Sequence, residues 1–199
     1  MTQKHMKRLY DVKSFTRFLN DALTHLDDMR SASKNGVDRQ FGERIMLAVT
    51  EVNGCRYCNY FHARQALEAG VSSSEVDQLL SGEIAAAPEE QQVAMLFAQH
   101  YAESAGYPDP EALEKLQDTY GSETARGIIA YIRMIMIGNV YGNAFDALRH
   151  RLIGKPAAGS TLGQELGVLL SVVVTMPWIM IRGALQKRSL RRGAAVVET

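Results

Sequence analysis

The residues of this chain best equipped for chemistry lie in one short stretch, Asn53-Gly54-Cys55-Arg56-Tyr57-Cys58-Asn59-Tyr60-Phe61-His62. It holds both cysteines and one of the five histidines. On an α-helix each residue turns about 100° and rises about 1.5 Å, so Cys55, Cys58 and His62 would share an arc of about 60° on one face. Residues three apart on a helix have Cα atoms about 5 Å apart, within the range a disulfide accepts, so the two thiols could cycle between dithiol and disulfide with little backbone movement. The nucleophile in such a cycle is the thiolate, and an ordinary cysteine, with a pKa of about 8.5, is only a few per cent ionised at neutral pH. Two features favour ionisation here. Asn53-Gly54 closes one helix and opens the next, so the cysteines meet unpaired N–H groups and the positive end of a helix dipole. His62, one turn after Cys58, can accept a proton or, when charged, stabilise an anion. Lowering a thiol pKa by about two units corresponds to about 2.7 kcal/mol, within reach of a helix terminus plus one neighbour.

Two other chemistries fit the same residue types. Cys-x2-Cys-x3-His offers three zinc ligands, with Glu43, Glu51 or His100 as a fourth, although structural zinc sites bring a second spaced pair and the sequence has none. Simple burial of two small apolar thiols is the third reading.

The elements that must position these residues read as helices throughout. Apolar residues recur at spacings of three and four, and no sustained alternation of apolar and polar residues marks a strand, so the fold class is all-α. Phe15, Phe18, Leu19, Leu23 and Leu26 predict a first helix over Ser14 to Arg30, with a loop after it to Gly36. Asp38 is an N-cap for a second helix through Phe41, Ile45, Leu47, Ala48 and Val52, ended at Asn53-Gly54. A third starts at the cysteines and ends at Gly70. Ser72 and Glu75 form a capping box for a short fourth helix, Pro88 opens a fifth, and a sixth spans Glu111 to Tyr120 and stops at Gly121. Ser122 then caps a long apolar helix carrying Asn139 and Asn143 one turn apart, two amides that must find partners by lining a pocket or bonding across an interface. Gly154 to Ser160 reads as a linker. Residues 1–154 are thus expected to form one helical domain and 155–199 a linker with a C-terminal helical extension.

That extension differs in kind. Leu166 to Ile181 is an uncharged run of sixteen residues, and Arg182, Lys187, Arg188, Arg191 and Arg192 come after it. A membrane-spanning helix needs about twenty apolar residues, so the expectation is a core or oligomer-interface helix, with an interfacial or marginal membrane anchor as the alternative.

The totals exclude other classes. With 22 basic and 22 acidic residues among 199, no net field favours nucleic acid. A content of 46% apolar and 22% charged residues is that of a globular chain rather than a disordered one. A single Cys-x-x-Cys suits a reducing compartment, and no apolar core of signal-peptide length comes after the basic first residues, so a cytoplasmic location is expected. His5, His25, His100 and His150 sit in polar or amphipathic surroundings and read as exposed or hydrogen-bonded structural residues.

At Glu43, Cys55, Cys58 and His62 the sequence resembles the carboxymuconolactone decarboxylase superfamily, in particular its AhpD-like alkylhydroperoxidase branch. The shared pattern is a glutamate, eleven intervening residues, then Cys-x-x-Cys-x-x-x-His, and it extends over roughly Asp38 to Gly82. The position before the second cysteine, often histidine in that branch, is Tyr57 here. The resemblance implies an all-helical domain and a dithiol peroxidase acting on hydrogen peroxide or organic hydroperoxides. Cys58 would be the peroxidatic thiolate, Cys55 would resolve its sulfenic acid to the disulfide, and His62 with Glu43 would relay protons. The sequence alone favours Glu51, four residues before Cys55, but the Asn53-Gly54 break separates the two. No bound cofactor and no metal is implied. The partners implied are an external thiol reductant of the lipoyl or thioredoxin-like kind and further copies of the chain, as a homotrimer or hexamer. A thiol–disulfide sensor or adaptor without turnover is the non-enzymatic alternative. A lactone decarboxylase of the sister branch, which does not use the Cys-x-x-Cys, is the other enzymatic one.

Overall fold

A computed structural model describes residues 8–197, with side chains described for 8–179 and 181–183. Among the described residues there is no strand. The helices are α1 (Val12–Thr24), α2 (Leu26–Ser31), α3 (Arg39–Asn53), α4 (Arg56–Glu68), α5 (Ser73–Leu80), α6 (Glu89–Glu103), α7 (Pro110–Leu152) and α8 (Leu162–Val197). The all-α class read from the sequence is therefore the fold.

Most boundaries are set by capping residues. The Asp38 side chain accepts from the Phe41 N–H at 2.8 Å to start α3, and Gly54 ends it in the left-handed conformation, φ 69°, that glycine adopts without steric cost. The Ser72 hydroxyl accepts from the Glu75 N–H at 3.2 Å to start α5. The other half of the expected capping box is spent elsewhere, because the Glu75 carboxylate pairs with the nearly buried Arg44 of α3. The first predicted helix is broken in two at His25, whose ring Nδ1 bonds the Asp21 carbonyl at 2.7 Å, while its N–H reaches back only to Ala22. A 3-10 turn over Ala32–Asn35 replaces the expected loop. The expected sixth and seventh helices meet at Gly121 (φ 75°, ψ 159°), a non-helical residue between two runs that stack into the single long element α7. His5 lies outside the described residues.

The helices pack in layers that place α3 at the centre, against α4, α5, α6 and α7. Ile45, Leu47, Ala48 and Val49 of α3, Met95 and Ala98 of α6, and Ile128, Ile132 and Met136 of α7 are essentially inaccessible to solvent. Burying a side chain of this size contributes about 1.5–3 kcal/mol, and α3 carries such residues on nearly all sides, as a central helix must. The NH2 groups of both α7 amides find acceptors within the chain, while the buried Oδ1 of Asn139 has no partner among the described residues. Asn139 donates to the Thr50 hydroxyl at 3.2 Å and to the Ile135 carbonyl at 2.8 Å. Asn143 donates to the backbone carbonyls of Arg8 and Asn53, both at 2.9 Å. Their NH2 groups bolt α7 to the end of α3, where the Asn53-Gly54 break sets the start of α4. Asn53 is tied from its other side by the Tyr10 hydroxyl at 2.9 Å.

After the Gly154–Ser160 connection, α8 returns along α1 and α7. Glu165 is fully buried and takes both ends of the Arg151 guanidinium, Nε to Oε2 at 2.8 Å and an Nη to Oε1 at 2.9 Å. That pairing holds its carboxyl below the ordinary glutamate range. Val168, equally inaccessible, joins the core cluster.

Candidate functional site

Cys55 is the residue that precedes the first turn of α4, with extended backbone angles, and its sulfur accepts the Cys58 N–H at 3.3 Å. It stands where serine or aspartate commonly stands and does the same work, supplying an acceptor to a helix start. Both cysteines are free thiols, Cys55 fully buried and Cys58 partly accessible. The Cys58 thiol lies within hydrogen-bonding reach of the Cys55 sulfur.

This geometry decides which thiol ionises first. The Cys58 thiol, and after it the backbone N–H groups of Cys58 and Tyr57, stabilise an anion on Cys55 and draw its pKa below that of an ordinary cysteine, against the opposing effect of burial. The hydrogen bond to Cys55, burial, and the charge on Cys55 all push the Cys58 pKa up. The dithiol thus loses one proton readily and holds the second. The sequence pattern and the family resemblance point to Cys58 as the thiolate. Of the two thiols it is Cys55 whose ionisation the surroundings favour, because the Cys58 thiol and the N–H groups of the helix start converge on the capping residue rather than on the residue three further along.

His62 lies one turn beyond Cys58 on α4, and its Nδ1 bonds Glu43 Oε2 of α3 at 2.8 Å. A carboxylate only accepts, so Nδ1 carries the hydrogen and the ring exchanges protons through Nε2. Both side chains are largely shielded from solvent, and Phe61 packs edge-on against the imidazole with ring centroids 5.0 Å apart. Glu43 is thus the carboxylate on the histidine, as the resemblance implies. Glu51, which proximity in sequence favours, lies against Gly82. The break at Gly54 turns α4 back across α3, and the residue that meets His62 is two turns before Glu51. His100, the other candidate fourth zinc ligand, accepts the Asp109 N–H at 3.0 Å. Among the described residues no group of three or more His, Cys, Asp or Glu side chains gathers as a metal site.

Two glycines that spacing around the cysteines does not single out complete the site. A Cβ on Gly142 of α7 would lie 2.6 Å from the Cys55 sulfur and 3.6 Å from that of Cys58; one on Gly138 would lie 3.8 Å from the Cys58 sulfur. The α7 backbone therefore forms the wall against which both thiols rest. The signal for it is the Gly-x-x-x-Gly at 138–142 in an otherwise apolar helix, a spacing that puts two bare patches on one face. Asp146, one turn further on and nearly buried, takes the Arg56 guanidinium at 2.6 Å and the Tyr57 hydroxyl at 3.3 Å. This clamp fixes the two residues between the cysteines.

A buried capping thiol, a more accessible one three residues on, and a carboxylate-held histidine a turn beyond define a helical dithiol domain. Residues 19–99 match the model of the carboxymuconolactone decarboxylase family. The matched segment runs from α1 into α6 and includes Glu43, both cysteines and His62; the α7 wall lies outside the match. Comparison with curated proteins and with solved structures returned no match.

Proposed function

We propose that this chain is a dithiol peroxidase of the AhpD-like kind, reducing hydrogen peroxide or an organic hydroperoxide. The observation that carries the reading is the pairing of His62 Nδ1 with Glu43 one turn from a free, partly accessible Cys58. A merely structural dithiol does not need a proton-exchanging ring held beside it.

The accessible sulfur, Cys58, meets the peroxide. Its proton passes along the hydrogen bond to Cys55, and the Cys58 thiolate attacks one peroxide oxygen. The O–O bond breaks, Cys58 becomes a sulfenic acid, and the departing alkoxide or hydroxide takes a proton from His62 Nε2. Glu43 keeps the ring turned so that Nε2 is the nitrogen available. The Cys55 thiol then attacks the Cys58 sulfur, forming the disulfide and releasing the sulfenic oxygen as water. Two electrons and one proton from an outside dithiol restore the pair of one thiol and one thiolate, and the second proton released by that dithiol returns to His62. The position of Cys55, buried behind Cys58 and pressed on Gly142, suits the resolving role. The exposed aromatic face of α4, with Tyr60 and Phe61 more than half accessible, is consistent with further copies of the chain packing there.

The test is turnover of peroxide with a small dithiol as reductant. Cys58→Ser and His62→Ala are expected to lower it by about 100-fold or more. Full turnover in Cys58→Ser would overturn the assignment of the nucleophile, and absence of turnover in the unmodified protein, with a dithiol that still oxidises, would favour a sensor.

A further inference from the structure

The C-terminal helix presents an apolar face that no part of the described chain covers. Leu170, Val173, Val174, Trp178 and Ile181 of α8 are each more than half exposed. At about 100° per residue they fall within an arc of about 140°. The opposite face is occupied: Glu165 is locked to Arg151, and Val168, Leu169, Val172 and Ile179 pack on the core formed with α1 and α7. Exposed faces of this kind mark contact surfaces.

The charge of the adjoining residues identifies the contact. Residues 182–192 contain Arg182, Lys187, Arg188, Arg191 and Arg192 and no acidic residue, in a chain whose overall formal charge is zero. An apolar helical face running into a purely basic segment, with a tryptophan near the junction, complements a bilayer surface bearing anionic headgroups. A second copy of the chain paired in parallel would bring two such basic segments together. Residues Leu162–Gly183 are long and apolar enough to cross a membrane, as is the half-buried core helix α7. Crossing is opposed by the packing, because α8 is held to the domain as far as Ile179.

We infer that the α8 face docks in the plane of an anionic membrane surface, with Leu170, Val173, Val174, Trp178 and Ile181 in the headgroup–acyl boundary and the 182–192 segment on the headgroups. The inference does not depend on the peroxidase reading, since none of these residues touches the dithiol.

Trp178 is the only tryptophan in the chain, so its emission reports the contact directly. The full chain is mixed with vesicles of phosphatidylcholine alone or with phosphatidylglycerol added. Expected are a blue shift and co-sedimentation with the anionic vesicles, weakened by salt, and quenching by lipids brominated near the headgroups more than by those brominated near the chain ends. Val174→Asp, at a position 73% exposed and so without cost to packing, is expected to weaken vesicle binding at least tenfold with an unchanged circular dichroism spectrum. Arg182→Gln is expected to weaken it about fivefold. No change in Trp178 emission with anionic vesicles at low salt overturns the inference. So does a blue shift that rises with protein concentration in the absence of lipid, which assigns the face to a second copy. Deepest quenching from chain-end bromines overturns the in-plane placement in favour of a span.

Discussion

Replacing Gly142 with alanine tests whether the α7 backbone is the wall of the dithiol site. The added Cβ would lie 2.6 Å from the Cys55 sulfur, whereas uncharged heavy atoms rest about 3.5–4.0 Å apart, so one of them must yield by about 1 Å. Cys55 cannot swing outward, since it is fully buried and its sulfur is held by the Cys58 N–H. Overpacking of this kind costs about 1–3 kcal/mol, and alanine for glycine inside a helix returns about 0.5–1 kcal/mol. The net expectation is a loss of up to about 2.5 kcal/mol. Gly138→Ala is the internal control: its Cβ would meet the Cys58 sulfur and Ile135 at 3.8 Å, ordinary contact, so that variant should gain about 0.5–1 kcal/mol. The two variants, four residues apart on one helix, should therefore change stability with opposite sign in urea denaturation of the reduced protein. Stopped-flow oxidation of the thiols by peroxide should be slowed about tenfold or more in Gly142→Ala and little altered in Gly138→Ala. Equal stabilities together with equal oxidation rates would refute the close approach and the role given to it.

Glu43→Gln keeps the size of the side chain but removes the charge that holds His62. We expect peroxide turnover to fall by about 100-fold with little change in helix content, and unchanged turnover would remove Glu43 from the relay. The dithiol also predicts a pH dependence of stability, read as the difference between the reduced protein and a Cys55→Ser, Cys58→Ser double variant. Cys55 titrates below the unfolded value of about 8.5 and Cys58 above it. As pH rises from neutral towards about 8.5, the unfolded chain holds more thiol protons than the folded one and the difference in stability grows. Above about 8.5 the unfolded chain has lost both while Cys58 keeps its own, so the difference shrinks. A contribution that rises or falls monotonically between pH 7 and 10 would contradict the shared-proton arrangement. Arg151→Ala leaves Glu165 buried without its partner, so α8 should release from α1 and α7, and limited proteolysis should cut at Gly154 to Ser160 faster than in the unmodified protein.

Much of the fold is legible in the sequence because its determinants are local. Asp38, Gly54 and Ser72 bound their helices through bonds to residues three or four positions away, and Gly121 interrupts α7 where the chain reads as interrupted. The cysteines and histidine stand out by spacing for the same reason. The features that escape a reading of the sequence depend on contacts distant along the chain. Glu43 and His62, paired in the sequence only through the family resemblance and not by spacing, are nineteen residues apart and meet because Gly54 folds α4 back over α3. Gly138 and Gly142 stand some eighty residues from the sulfurs they support. The inward ties of Asn139 and Asn143 to Thr50, Asn53 and Arg8 are equally distant. The order in which the thiols ionise turns on a single residue of register, Cys55 standing at the cap rather than inside the helix.

That register has a consequence for the direction in which electrons flow. A sulfur bridged to its neighbour no longer offers the charge that the opening turn of α4 attracts, so oxidation surrenders part of what the cap contributes and reduction recovers it. Each 1.4 kcal/mol by which the reduced pair is favoured raises the two-electron reduction potential by about 30 mV. In the dithiol cycle proposed for this chain, the helix start would thus work as a spring loaded toward the dithiol, favouring reduction of the bridged pair.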